Sequence, residues 1–427
     1  MTKRVLIVAP HFAPVNAPDG HRARLILPWL RECGWQPTIL AVRPERILAP
    51  LEPALMDTIP TDIEIVRANA FDSVRSRRFG VGNLGWRCLP WLAREGSHLL
   101  RSERFDLVYF STTQFACLPL GRSWRRRFGI PYVIDLQDPW HNPYYRQRGG
   151  SPPPGGWKYR FAAMSTSLSE GWTLRRCSHV IAVSRRYIDD LKHRRSWFDP
   201  SLASVIPFGW SENDQKIAAA MPATVIDAAP TILYIGRVGA DMTRLLRKLL
   251  AAFAEWRATR PVSPRVTWRF VGTSYAGRTA AAGVPTRLAQ ELGLADAVVE
   301  DPDRIGYLQA IAAQQRSHAN LILGSDDASY SPSKLWPTLA SGRPWLTCID
   351  DQSTLAELLR PHSSAGLVLG GSGAFLAGEP RDRFYNFLDE LARGGVTPRP
   401  ASPALRDFHA DRLAHEHAEI FNRVVNS

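Results

Sequence analysis

Four short stretches carry side chains suited to handling a sugar or a phosphate. The first, PHFAPVNAPDGHRARL, sets His11, Asp19-Gly20 and His21 between an apolar run and an amphipathic segment. A glycine at a helix start lets backbone approach a phosphate or a sugar; the same Asp-Gly pair also serves as a plain strand-to-helix turn. His11 and His21 read either as ligand-facing groups or as a strand-end and a surface histidine. The second stretch, PYVIDLQDPWHNPYY, places Asp135, Asp138 and His141 just beyond an apolar run, with aromatic residues following. Carboxylates at such a point orient or deprotonate sugar hydroxyls, and aromatic faces suit sugar rings or lipid tails. Asp138 and His141 are the functional candidates there, although Asp138 also suits a cap; Asp135 reads as a structural hydrogen-bonding group. The third, ILYIGRVGADMTRLL, puts Gly236-Arg237 at a strand tip and Arg244 seven residues on, where arginine neutralises a diphosphate as its charge develops. In the fourth, SYSPSKLWPTLASGRP, Ser331, Pro332 and Ser333 suit the cap and first turn of a helix, whose free N–H groups and dipole favour an anion. Lys334 adds a positive charge, and Pro337 predicts a lost helical bond with a kink or a late start.

These groups need elements to hold them. Short runs rich in Val and Ile recur at 4–10, 37–42, 62–68, 106–111, 131–136, 179–184 and 204–209, each followed by Gly, Pro or Asp and then a helical pattern. The same grammar restarts at 231–237, 266–272, 297–302, 319–325, 344–350 and 365–370. Continuous apolar strands alternating with amphipathic helices predict parallel sheets covered on both faces. The class is therefore α/β, with two Rossmann-like domains facing a central cleft and ligands at the carboxyl ends of the strands. Residues 1–210 form the first, 211–229 a linker and 230–404 the second; the helical stretch from 405 onward is expected to pack back on the first.

Of the 427 residues 45% are hydrophobic and 22% charged, which suits two packed domains and excludes a disordered or fibrous chain. Five dispersed cysteines form no CxxC pair, so they read as reduced thiols of a cytoplasmic protein with no disulfide frame and no zinc site. The apolar start is too short for a signal core or a membrane span. Charge is uneven: residues 1–210 hold 30 Lys and Arg against 17 Asp and Glu, whereas residues 211–427 hold 23 of each. A basic first half, with ten of the 14 tryptophans, suits the inner face of an anionic membrane as a peripheral partner; codon bias toward arginine is the alternative. No nucleic-acid reader is present.

In order, LIVAPHFAP, DG, RLILPWLRECGW, DLVYFS, GIPYVIDLQDPW, SHVIAVS, VIPFG, YIGR and SPSKLWPTLASGRP resemble the family 4 (group 1) glycosyltransferases of the GT-B architecture, over nearly the whole chain. The resemblance implies a nucleotide-sugar donor held by the second domain and a glycan or lipid-linked acceptor held by the first. It also implies retention of configuration, no bound metal, and no cofactor besides the donor. Carried over by position, Gly20 approaches the donor phosphates, Arg237 pairs with the diphosphate, Ser333 and Lys334 hold it from the helix N-terminus, and Asp138 matches an acidic position near the acceptor. Asp138, Arg237 and Lys334 are then the catalytic set, and Gly20, His21, His141, Gly236, Arg244, Asp327, Ser331 and Ser333 the substrate-binding set.

The departures are specific. The family's two glutamates, eight positions apart, fall on Ser329 and Pro337, which removes the ribose-binding carboxylate; Asp326 or Asp327 stands near the first. The lysine that follows the GR motif is missing, unless Arg244 serves. The histidine usual after the fourth strand is replaced within STTQFACLPL, where Thr113 and Gln114 are the polar groups. Two readings follow: a glycosyltransferase, or a catalytically silent homologue that binds a sugar nucleotide or a partner protein. The joint presence of Gly20, Asp138, Arg237 and Lys334 favours transfer. An NAD-dependent or epimerase-type enzyme is disfavoured by the missing GxGxxG fingerprint.

Overall fold

The computed structural model describes residues 2–78, 81–140, 166–222, 229–260, 265–274, 283–370, 378–394, 397 and 401–427. It divides into two compact units, Met1–Gly209 together with Phe408–Ser427, and Trp210–Asp407.

The strands of the first unit are β1 (Lys3–Val8), β2 (Trp35–Val42), β3 (Glu64–Ala68), β4 (Leu107–Ser111), β5 (Tyr132–Leu136), β6 (His179–Ala182) and β7 (Ala203–Val205). They form one parallel sheet in the order β3-β2-β1-β4-β5-β6-β7. The strands buried along their whole length, β4, β5 and β6, are the ones that read as unbroken apolar runs. The order reverses between β1 and β4, which is where open α/β sheets bind ligands beyond their carboxyl ends.

The second unit repeats the pattern with β8 (Thr231–Ile235), β9 (Thr267–Val271), β10 (Val298–Asp301), β11 (Ala319–Leu323), β12 (Trp345–Ile349) and β13 (Leu367–Gly370). Its order is β10-β9-β8-β11-β12-β13, again all parallel and again reversing beside the first strand of the unit. The doubly wound α/β class is therefore as the strand grammar predicts. Each sheet has its own core, around Phe110, Tyr132 and Trp124 in one unit and Phe253, Trp256, Trp268 and Phe384 in the other.

The segment read as a linker is different. Helix Glu212–Ala220, capped by Ser211, lies in the second unit and packs on helix Tyr307–Arg316, where Gln315 Nε2 donates to the Gln215 carbonyl (2.9 Å) and to Gln215 Oε1 (2.7 Å). The sequence hid this because three alanines and a short span give a weak helical period. At the other end of the chain, helix Ala410–Asn426 is part of the first unit: Phe421 packs edge-on against Trp35, and Lys3 Nζ donates to Asn422 Oδ1 (2.9 Å).

A buried polar network joins that helix to the sheet. The Arg22 guanidinium, from helix Pro18–Leu30, lies 2.8 Å from Asp135 Oδ2 on β5, and it donates to the carbonyls of Ile206 and Pro207. Tyr109 on β4 donates its hydroxyl to Asp135 Oδ2 (3.0 Å) and sits 3.1 Å from Nε2 of His417. Burial, then the Arg22 charge, pushes the His417 pKa down to about 3, so this imidazole is neutral. Asp135 thus does structural work, as its position inside a buried strand suggests.

Candidate functional site

The strand ends of the first unit carry the most organised polar cluster. His11 follows β1; Asp19 stands in the first turn of helix Pro18–Leu30; Thr112 and Thr113 follow β4; Gln137 and Asp138 follow β5. Asp19 is 4% exposed and fully engaged: Oδ1 lies 2.9 Å from His11 Nδ1, and Oδ2 accepts from Thr112 Oγ1 (3.2 Å), Thr113 N (3.0 Å) and Thr113 Oγ1 (3.0 Å). Burial alone would raise the Asp19 carboxyl, but His11 and the Thr113 hydrogen bonds hold it below its ordinary value. Burial would likewise lower His11, and the Asp19 carboxylate overrides it, leaving the imidazole above its ordinary 6.5. A histidine whose Nδ1 is fixed by a buried carboxylate has one defined orientation and one remaining nitrogen for a ligand.

Asp138 lies on the same rim. Its side chain is open to solvent, yet the dense protein behind it, and then the Asp19 charge, lift its carboxyl to about 6. Gln137 Nε2 bridges the Asp19 carbonyl (3.3 Å) and Ser111 Oγ (3.0 Å). Trp140 stacks on Phe115, ring centroids 5.3 Å apart, so a flat aromatic pair stands close by in the chain to the carboxyl. His141 lies outside the described residues.

Gly20 has a packing reason for being glycine. A Cβ there would come 2.6 Å from the His11 carbonyl oxygen, so the residue lets the helix seat against the loop after β1. It serves the cluster by allowing His11 and Asp19 to meet. His21 Nε2 lies 3.2 Å from Asn16 Oδ1, and its Nδ1 accepts from Arg24 Nε (3.4 Å).

In the second unit two of the expected phosphate-binding cations, Arg237 and Arg244, are engaged by carboxylates. Gly236 adopts φ 151°, a backbone angle that side chains disfavour, and its carboxyl-side neighbour Arg237 forks onto Asp241 with distances of 2.6 and 2.8 Å. Asp241 also accepts from Ser325 Oγ (2.7 Å). Arg244 donates Nε to Asp326 Oδ1 (2.8 Å) and stands 3.6 Å from Asp350. Asp327 is turned on its own loop, accepting from Ser329 N (2.9 Å) and Ser329 Oγ (2.6 Å).

The opening of the fourth stretch also differs from its reading. The helix starts at Leu335 and has six residues, Leu335–Ala340, with Lys334 at the cap position and no side-chain cap from Ser331 or Ser333. Pro337 falls in its first turn, where N–H groups have no intrahelical partner in any case, so no helical bond is lost. The late start is real; the kink is not needed. Pro337 is buried, and its carbonyl accepts from Gln215 Nε2 (3.2 Å).

Two parallel sheets of the same doubly wound order, with polar groups at the carboxyl ends, define the GT-B class. Residues 20–209 match the family described as "Glycosyl transferase 4-like domain". No curated protein matches the chain. Among solved structures the chain is similar to Anabaena HepE in complex with UDP-glucose, at 14% identity and a TM-score of 0.54, covering 99% of this chain and 98% of that one. It is also similar to WaaG, a glycosyltransferase of lipopolysaccharide biosynthesis, at 12% identity and TM-score 0.53, covering 99% and 98%. A third similar structure is the N-terminal domain of Candida albicans trehalose-6-phosphate phosphatase, at 10% identity and TM-score 0.59, covering 100% and 96%. The family match covers residues 20–209, and the solved neighbours share the two-sheet GT-B fold over nearly the whole chain. Among the described residues no helix is long and apolar enough to cross a membrane.

Proposed function

We propose that the chain transfers a sugar from a nucleotide-diphosphate sugar to a hydroxyl of a glycan or lipid-linked acceptor. The acceptor is held by the first unit and the donor by the second. The observation that carries this is the His11–Asp19–Thr113 array with Asp138 on the same strand ends: one oriented imidazole and one carboxyl of raised pKa, suited to holding and polarising hydroxyls. In the second unit Arg237, Arg244 and Lys334 supply the positive charge for the diphosphate, once the donor competes for the carboxylates now holding the arginines. Retention of configuration and independence of a bound metal are carried over from the resemblance.

The test is calorimetry and turnover with a panel of nucleotide sugars, beginning with UDP-glucose, the ligand named for the Anabaena neighbour. Binding with donor consumption in the presence of an acceptor pool supports transfer. Binding without consumption supports the silent-homologue reading, which the Ser329 and Pro337 positions and the carboxylate-paired arginines favour. No binding by any donor overturns both.

A further inference from the structure

The first unit carries an exposed face that mixes arginine with bare apolar side chains. It is built from helix Pro119–Phe128, the helix 166–174 and the segment after helix Arg185–Arg194. Leu168, Trp172, Trp197 and Leu202 are 67%, 43%, 40% and 44% exposed. Named contacts tie the pieces together. Arg122 donates to the Trp172 carbonyl (2.5 Å) and lies 4.5 Å above its ring; Arg125 donates to the Arg176 carbonyl (2.6 Å); Arg175 lies 4.9 Å above the Trp197 ring. Glu170 is buried and paired with both Arg194 and Arg195 (3.0 Å each), so it adds no negative charge at the surface. Asp189 and Asp190 are the exposed carboxylates on the flanking helix, and Asp199 accepts from Ser201 N. Arg126, Arg127, Arg175 and Arg176 remain exposed.

We infer that this face docks on an anionic lipid bilayer. Tryptophan and leucine gain by entering the headgroup and acyl boundary while arginines meet lipid phosphates. The arginine–tryptophan stacks keep the cation beside the ring that inserts. Nucleic acid fits less well, because the two leucines have no partner on a phosphate backbone and the stacking faces of Trp172 and Trp197 are already met by arginine. The inference rests on the reading that the acceptor is lipid-linked, and it names the surface that would bring the first unit to it.

The experiment is cosedimentation of the full chain with vesicles of equimolar phosphatidylcholine and phosphatidylglycerol, and with phosphatidylcholine alone. Binding to the mixed vesicles alone is expected, weakening steeply with salt. Arg126→Glu with Arg127→Glu, and separately Leu168→Ser with Trp172→Ser, should each reduce it by about tenfold or more. All four side chains are exposed, so melting curves should match the parent. No binding to the mixed vesicles, equal binding to the neutral ones, unchanged binding by both double variants, or single-stranded RNA binding lost through the same substitutions would each overturn the assignment. Turnover of donor with a water-soluble acceptor is read alongside. Vesicle binding without turnover refutes the transfer reading alone, and turnover without vesicle binding refutes the docking face alone.

Discussion

Asp19 Oδ1 stands 2.9 Å from His11 Nδ1, and the opposite shifts of the two pKa values mark them as an ion pair. Protonated His11 therefore stabilises the fold fully below its ordinary 6.5, and this contribution is lost as pH rises through the higher folded value. Ionised Asp19 contributes above its ordinary 3.8, and that share is lost as pH falls through the lower folded value. The pair contributes most between the two. His11→Asn should leave melting temperature flatter across about pH 6–8 than in the parent, measured by thermal melts over a pH series. The same variant should lower kcat/KM by on the order of 10²-fold if His11 holds a reacting hydroxyl; an unchanged value assigns His11 to structure alone.

Asp138 is lifted to about 6, so it changes charge close to neutral pH. If its ionised form polarises the acceptor hydroxyl, kcat/KM should rise with pH through that value, and Asp138→Asn should abolish this limb while lowering turnover about 10²-fold. Because its folded pKa is raised, ionisation of this carboxyl opposes folding. Asp138→Asn should then gain stability at pH 7, limited to about 1 kcal/mol or less because the side chain is solvent-exposed. Kinetics and melts on one variant separate the roles: lost turnover with retained stability is the functional outcome.

The strands were legible because each is a Val- and Ile-rich run bounded by Gly, Pro or Asp, and in β4, β5 and β6 burial on both faces leaves no competing period. The site was only partly so. Asp138 announces itself by following a strand, whereas the His11–Asp19 pair is assembled from a loop and a helix eight residues apart, with Thr112 and Thr113 arriving from a distant strand. The Thr in STTQFACLPL stood out only as a missing histidine. Gly20 was legible as a close approach, but the atom approached is the His11 carbonyl, which spacing cannot reveal. Pro337 looked like a helix breaker because the serines upstream look like a cap. Where the helix starts depends on the turn at Ser333-Lys334, and that moves the proline into the one turn that tolerates it.

Arg237 and Asp241 form a two-point fork, and Ser325 steadies the carboxylate. A diphosphate presents the same two-oxygen geometry with more charge, so on the proposed reading donor binding would exchange one acceptor for the other. Arg237→Ala should weaken nucleotide-sugar affinity by on the order of 1–3 kcal/mol in calorimetry. Asp241→Asn should strengthen it, since it removes the competing charge while keeping a hydrogen-bond acceptor. Weakening by Asp241→Asn would show instead that the fork positions Arg237 for the donor.

Asp135 is fully buried opposite Arg22, itself 3% exposed, with Tyr109 and His417 completing the network. Desolvation raises the Asp135 carboxyl, and Arg22 opposes that rise, so the pair is held by geometry rather than by a large net gain. Removing one member leaves an uncompensated charge: Asp135→Ala should cost about 3–5 kcal/mol in denaturant unfolding. Replacing Arg22 and Asp135 together by apolar residues of similar volume should cost much less, because no charge is stranded. The double-mutant cycle separates this from a simple packing loss. A double variant as unstable as Asp135→Ala would mean that the carbonyl bonds of Arg22 to Ile206 and Pro207, and not the ion pair, hold the β7 end to the helix.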